Sequence, residues 1–142
     1  MKRILVDTSV WISFFKGDEA ARPLSLLLDS NFACVNDLVL SELIPSILHK
    51  KEKELAILMQ SIEVIPMAID WKSIIRMQTI NLEKGINKVG IADLLIAQNA
   101  IQYDLSLYTL DKHFEIMSKY HRIASYCNIV FNSNKLRIHQ ID

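Results

Sequence analysis

Apolar positions along the chain fall into short continuous runs separated by longer stretches at helical spacing. Ile4-Leu5-Val6 is the first run. With two β-branched residues it suits a strand buried on both faces, as in a parallel sheet. Asp7-Thr8-Ser9 ends the run with residues that start helices, and Trp11, Ile12, Phe14 and Phe15 continue at helical spacing until Lys16-Gly17-Asp18. Residues 20–30 form an amphipathic stretch with Leu24, Leu27 and Leu28 on one face. Phe32-Ala33-Cys34-Val35 reads as a second strand. Asn36 and Asp37 then cap a helix from about Leu38 to Lys50, and Pro45 within it predicts a kink or a late start.

The pattern continues in the same alternation. Lys51 to Ser61 is helical, and Ile62-Glu63-Val64-Ile65 reads as a third strand closed by Pro66. Asp70 to Lys84 repeats Ile74, Ile75, Met77 and Ile80 at helical spacing, residues 85–90 form a loop, and a strongly apolar helix runs from Ile91 to about Tyr103. Leu105-Ser106-Leu107-Tyr108-Thr109 is a fourth strand and Asp111 to Lys119 a short helix. Ile129-Val130-Phe131 and Leu136-Arg137-Ile138 read as a final strand or hairpin. Strands alternating with helices imply right-handed βαβ units and a mainly parallel α/β sheet. No repeat or linker interrupts the pattern, so residues 1–142 are expected to form one domain, with 123–142 its least defined segment.

Composition narrows the class. Apolar residues make up 51% and charged residues 23%, with 3 Gly and 3 Pro, which excludes disordered and collagen-like chains. Sixteen Lys+Arg balance 16 Asp+Glu, so no general coat of positive charge is present, although a local basic patch remains compatible with nucleic acid. Cys34 and Cys127 are too few and too far apart for a zinc ribbon or disulfide framework, and are expected to be buried thiols of a cytoplasmic protein. No apolar stretch reaches the ~18 residues that span a bilayer.

The acids fall in an informative pattern. Asp7 follows the first strand, Asp111 follows the fourth, Asp93 lies in the first turn of the Ile91 helix, and Glu42 lies near the start of the helix after the second strand. In a parallel sheet all four reach the carboxyl edge, where open α/β folds place their sites. Singly, Asp7, Asp93 and Asp111 also read as helix caps or partners of a helix dipole. Glu42, between Leu40 and Leu43, is harder to read that way, because a lone carboxylate beside an apolar core is costly. Four neighbouring carboxylates repel one another, and a divalent cation held by oxygen ligands is the simplest remedy, which favours Mg2+ or Mn2+ over Zn2+. No phosphate-binding glycine loop, nucleophile elbow or zinc-spaced histidine pattern competes with this reading.

These segments resemble the motifs of PIN-domain ribonucleases, and more narrowly those of VapC-type toxins from toxin–antitoxin pairs. Ile4-Leu5-Val6-Asp7-Thr8-Ser9-Val10-Trp11 is similar to the first motif, Leu40-Ser41-Glu42-Leu43 to the second, Gly90-Ile91-Ala92-Asp93-Leu94-Leu95-Ile96-Ala97 to the third, and Leu107-Tyr108-Thr109-Leu110-Asp111-Lys112-His113-Phe114 to the fourth. The resemblance covers residues 1 to about 122. It implies a three-layer α/β/α sandwich with a mainly parallel sheet of about five strands, and an endoribonuclease dependent on Mg2+ or Mn2+. By this resemblance Asp7, Glu42, Asp93 and Asp111 are the catalytic and metal-binding acids, and Thr8, Ser9 and Thr109 are hydroxyls that orient them. It further implies RNA as substrate, a homodimer, and a VapB-type antitoxin through which alone DNA is bound.

Basic residues that suit RNA are His49, Lys50, Lys51 and Lys53 in one group and Lys112, His113, Lys119, His121 and Arg122 in another; both also read as solvated faces. Trp11, Phe14 and Phe15 read as core or interface rather than as a base-stacking platform. A mean hydropathy of +0.20 suggests apolar surface kept for partners. The alternatives are a PIN-fold RNA-processing nuclease without toxicity and a PIN-fold binding module without catalysis.

Overall fold

The computed structural model describes residues 3–126. Five strands, β1 (Ile4–Val6), β2 (Ala33–Val35), β3 (Glu63–Val64), β4 (Ser106–Tyr108) and β5 (Ala124–Ser125), form one sheet in the order β3-β2-β1-β4-β5. Every pairing is parallel, with Leu5 opposite Cys34 on one side and Leu107 on the other. The three inner strands are buried along their whole length, as expected for continuous apolar runs covered on both faces. The edge strands are two residues long, exposed in β3 and half-buried in β5.

The helices are α1 (Thr8–Phe15), α2 (Pro23–Asp29), α3 (Asp37–His49), α4 (Lys53–Ser61), α5 (Trp71–Glu83), α6 (Ile91–Gln102) and α7 (Lys112–Met117), with a 3-10 turn at Glu19–Ala21. Right-handed crossovers in this strand order put α1 to α4 on one face and α5 to α7 on the other. The packing agrees: α1 and α4 lie against α3, and α5 lies against α6. Trp11 is fully buried and donates its indole N–H to the Val6 carbonyl at 3.2 Å, which fixes it as core rather than as a platform for bases. Phe14 and Phe15 pack partly buried beside it.

The order has one functional consequence. The chain moves outward from β1 to β2 to β3, then returns to the far side of β1 as β4. The carboxyl ends of β1 and β4 therefore form the crevice where ligands bind in open α/β sheets. Asp7 N–H continues the ladder into this crevice by donating to the Tyr108 carbonyl at 2.9 Å.

A buried polar chain locks the two faces together. Asn36 caps α3 by accepting from Val39 N–H at 2.9 Å, and its amide donates to Asn99 Oδ1 on α6 at 3.0 Å. Asn99 in turn donates to the Pro66 carbonyl at 2.9 Å. The helices that carry Glu42 and Asp93 are thus joined by hydrogen bonds as well as by packing.

Two expectations are corrected. Helix α3 begins at Asp37, not after Pro45; the proline lies exposed within it, where its missing N–H removes one bond without ending the helix. The following helix begins at Lys53 rather than Lys51, because Lys51 takes a positive φ of 56° between α3 and α4. The fifth strand is Ala124–Ser125; the segments at 129–131 and 136–138, like Cys127, lie outside the described residues. Cys34 is buried as expected. It donates to the Ile4 carbonyl at 3.3 Å, and burial pushes its thiol up to about 11. Among the described residues no helix is long and apolar enough to cross a membrane.

Candidate functional site

Asp7 is the buried centre of the crevice, only 6% exposed. It stands at the N-cap of α1, yet its carboxylate makes no capping bond. Instead Oδ2 accepts from the Ser9 hydroxyl at 2.7 Å and from the Thr109 hydroxyl at 2.9 Å. Each hydroxyl also accepts a backbone N–H, Ser9 from Leu110 at 3.0 Å and Thr109 from Asp111 at 3.0 Å. Because those N–H groups occupy the oxygens' acceptor side, both protons are directed at Asp7. A capping role for Asp7 is therefore set aside by the geometry.

The other acids arrive from three different elements. Glu42 projects from the second turn of α3. It is exposed rather than held in apolar core, so the desolvation argument that singled it out is corrected. Its carboxyl is still pushed up, first by partial burial and then by the charges of Asp7 and Asp93, with the Thr8 hydroxyl opposing the rise. Thr8 Oγ1 is itself buried without a hydrogen bond of ordinary geometry. Asp93, at the third position of α6, is half-buried and is also pushed up. Burial is the main cause, followed by the charge of Asp111; a bond from the Gly90 backbone N–H lowers it, the charge of Asp7 adds to the rise, and His113 opposes it. Asp111 does cap its helix, accepting from His113 N–H at 2.9 Å, and its Oδ1 lies 3.2 Å from His113 Nδ1.

Four acids from β1, α3, α6 and the start of α7 thus form one electrostatic cluster at the switch of the sheet. One ligand atom each from Asp93, Asp111 and His113 lie within 4.8 Å of one another, a spacing that suits a shared cation. The donor set fits a divalent ion: carboxylate oxygens dominate, neighbouring acids add to the rise of Glu42 and Asp93, and the buried Thr8 hydroxyl lies beside Glu42. His113 is the member that the sequence reading placed with the RNA-facing basic residues. Its position two residues after Asp111, in the first turn of α7, was the available clue. His121, another of those residues, turns inward: Nε2 lies 2.8 Å from the buried Asn81 Oδ1, and burial pushes its pKa down. His49, Lys50, Lys51 and Lys53 are all exposed near the end of α3.

Two clefts flank the cluster. One, of about 310 Å3, lies between α1 and α3, with Ile12, Phe15, Leu43 and Ile47 among its walls and Glu42 at its border. The other, of about 320 Å3, lies between α7 and the loop from α5 to α6, with His113 at its border.

Known proteins share this architecture. The PIN domain family model matches residues 4–120. No curated protein sequence matches the chain. Among solved structures the fold is similar to VapBC2 from Rickettsia felis bound to a promoter DNA fragment (TM-score 0.61, 23% identity, covering 77% of this chain and 87% of that one). It is also similar to DNA-bound VapBC from Salmonella typhimurium (0.63, 20%, covering 81% and 92%). VapBC-1 from nontypeable Haemophilus influenzae is a third such structure (0.63, 19%, covering 86% and 95%). At these identities the structures speak for the fold alone. The family match spans far more than half of the sequence and includes all four clustered acids, and on that ground the chain belongs to the PIN domain family.

Proposed function

We propose that this chain is a VapC-type toxin, an endoribonuclease that hydrolyses RNA phosphodiester bonds with Mg2+ or Mn2+. The observation that carries the reading is the convergence of Asp7, Glu42, Asp93 and Asp111 at the β1/β4 crevice of a PIN fold, where Glu42 and Asp93 are pushed up first by burial and then by the charges of neighbouring acids.

The residues divide the work by position. Asp93 and Asp111 supply ligand atoms with His113 beside them, and Asp7 is held rigid behind them by Ser9 and Thr109. A divalent cation held there supplies a positive centre for an otherwise repelled phosphate and eases the deprotonation of water. Glu42 and Asp93, which face the cluster from α3 and α6, are the carboxylates placed to help take a proton from the attacking water. Thr8 lies near the Glu42 carboxylate and helps to orient it. Preorganised acids spend no free energy on reorganisation during the reaction.

The partner reading follows from surface and neighbours. The apolar walls of the α1/α3 cleft suit the tail of a VapB-type antitoxin, whose entry past Glu42 would block the acids. Trp71, Ile75 and Leu82 are 56%, 67% and 59% exposed along α5, which supports a homodimer. Two of the similar structures are described as DNA-bound complexes, and a net charge of zero on this chain agrees with DNA contact made through the antitoxin.

Expression in a bacterial host tests the toxin reading. Growth should stop and RNA-end mapping should show discrete new cuts, both absent with Asp7→Asn. Unchanged growth together with discrete cuts indicates a processing nuclease, and equal arrest by Asp7→Asn contradicts the assigned site.

A further inference from the structure

We propose that the loop joining α5 to α6 is the RNA landing: Lys84 and Lys88 bind backbone phosphates beside the cut, and the strand passes along the His113 side of the acids. This rests on the nuclease reading above and gives it a direction. The cleft of about 320 Å3 on this side is lined by Lys84, Gly85, Asn87, Lys88, His113 and Ile116, with no carboxylate among its lining residues. His113 lines this cleft and has a ring nitrogen within 4.8 Å of carboxylate oxygens of Asp93 and Asp111, so the cleft adjoins the acids through His113.

Charge separates the two clefts. The α1/α3 cleft holds Lys16 and Lys50 together with Glu42 and Glu52, so its lysines are matched one for one by acids. The α5–α6 cleft offers two lysines and no acid. A polyanion approaching a cluster of four acids is repelled unless fixed positive charge draws it along one side, and of the two clefts that border the acids only the second is lined by lysines without carboxylates.

The loop is built to hold its lysines in place. Gly85 takes a φ of +78°, the left-handed conformation that turns the chain sharply after α5. Ile86 N–H donates to the Asn81 carbonyl at 2.8 Å, and the Gln78 amide donates to the Val89 carbonyl at 2.7 Å. Ile86 and Val89 are buried while Asn87 and Lys88 between them are exposed, so two apolar anchors present a polar tip. Lys84 Nζ rests 5.5 Å from the centre of the exposed Tyr120 ring. A tethered loop and a restrained ammonium lose less freedom on binding than free side chains do.

The test is the salt dependence of binding to a fluorescent single-stranded RNA, measured in an Asp93→Asn background that stops cutting. Adding Lys84→Ala and Lys88→Ala should weaken binding about tenfold and lower the slope of log affinity against log salt by about 1.4, the value for two lost single-strand phosphate contacts. A charge-matched pair on the exposed N-terminal half of α5, Lys72→Ala with Arg76→Ala, should change neither. Lys84→Arg with Lys88→Arg should restore both, which separates loss of charge from loss of fold. If the wild type cuts RNA but the Lys84/Lys88 slope equals that of the control pair, the landing is overturned and the nuclease reading stands. If the wild type neither binds nor cuts RNA, both are overturned.

Discussion

The Thr109 hydroxyl donates to Asp7 Oδ2 at 2.9 Å, joining residues 102 positions apart across the seam between β1 and β4. Ser9 donates to the same oxygen at 2.7 Å, its hydroxyl 3.4 Å from that of Thr109. Hydrogen bonds to a charged group contribute roughly 1.5–3 kcal/mol each, enough to fix the orientation of a buried carboxylate. The seam between two strands therefore aims the deepest acid of the cluster.

Replacing Thr109 with Val keeps the shape and removes the hydroxyl. Asp7 loses one donor and the Asp111 N–H loses its acceptor. RNA cleavage by Thr109→Val should fall at least about tenfold, since a loss of ~1.4 kcal/mol in transition-state stabilisation corresponds to that factor. Thr109→Ser should recover most of the rate. Single-turnover rates beside melting curves check this, and an undiminished Val variant would show that the bond does not matter.

The raised carboxyls of Glu42 and Asp93 predict the pH dependence of the metal-free protein. A folded carboxyl with a raised pKa holds its proton above the ordinary values of 4.5 for Glu and 3.8 for Asp, where the unfolded chain has already lost it. The folded state then binds more protons, so stability falls as pH rises through that interval and stays reduced at neutral pH. Asp93→Asn removes the repulsion while its amide oxygen still accepts the Gly90 N–H. In chelator at neutral pH this variant should melt above the wild type, and the gap should close below those two ordinary values. A variant that melts lower at neutral pH would mean that the repulsion is already neutralised.

Adding a divalent cation should reverse that order. A ligand that binds only the folded state at a hundred times its dissociation constant stabilises by about 2.7 kcal/mol. The wild type should gain melting temperature with Mg2+ or Mn2+, and Asp93→Asn and Asp111→Asn should gain little. An equal gain in all three would place the ion elsewhere.

Much of this site is legible in sequence because chemistry and position coincide. Asp7, Asp93 and Asp111 each adjoin an apolar segment whose direction is set by the parallel topology, so their meeting follows once the inner strands are read. The inner strands are continuous apolar runs, but Ala124–Ser125 carries no such pattern, because two small residues at a half-covered edge need none. Glu42 shows the converse. Its apolar neighbours suggested burial, yet in α3 Leu43 is buried while Glu42 faces solvent and the cluster, since adjacent helical positions point about 100° apart. Asn99 was not legible: its partner Asn36 lies 63 residues away, and nothing local separates a buried amide from an exposed one.

That buried amide carries its own prediction. Asn99→Ala leaves the Asn36 amide and the Pro66 carbonyl without their partner. At ~1–3 kcal/mol for an unsatisfied buried group, the buried Asn36 amide should lower the unfolding free energy by about 1–3 kcal/mol, while the carbonyl of the exposed Pro66 can turn to water. Denaturant titration reads the loss, and a change under ~0.5 kcal/mol would mean that water or repacking replaces both bonds.

The most direct test of the central claim is a time course of RNA cleavage by purified protein. Wild type and Asp93→Asn are prepared identically and assayed with Mg2+ or Mn2+, with chelator, and with the ion restored. The account predicts discrete cuts by the wild type that stop in chelator, return with the ion and are absent from the variant. Cutting that persists in chelator, or that the variant performs equally well, would contradict a metal-dependent nuclease site built on these acids.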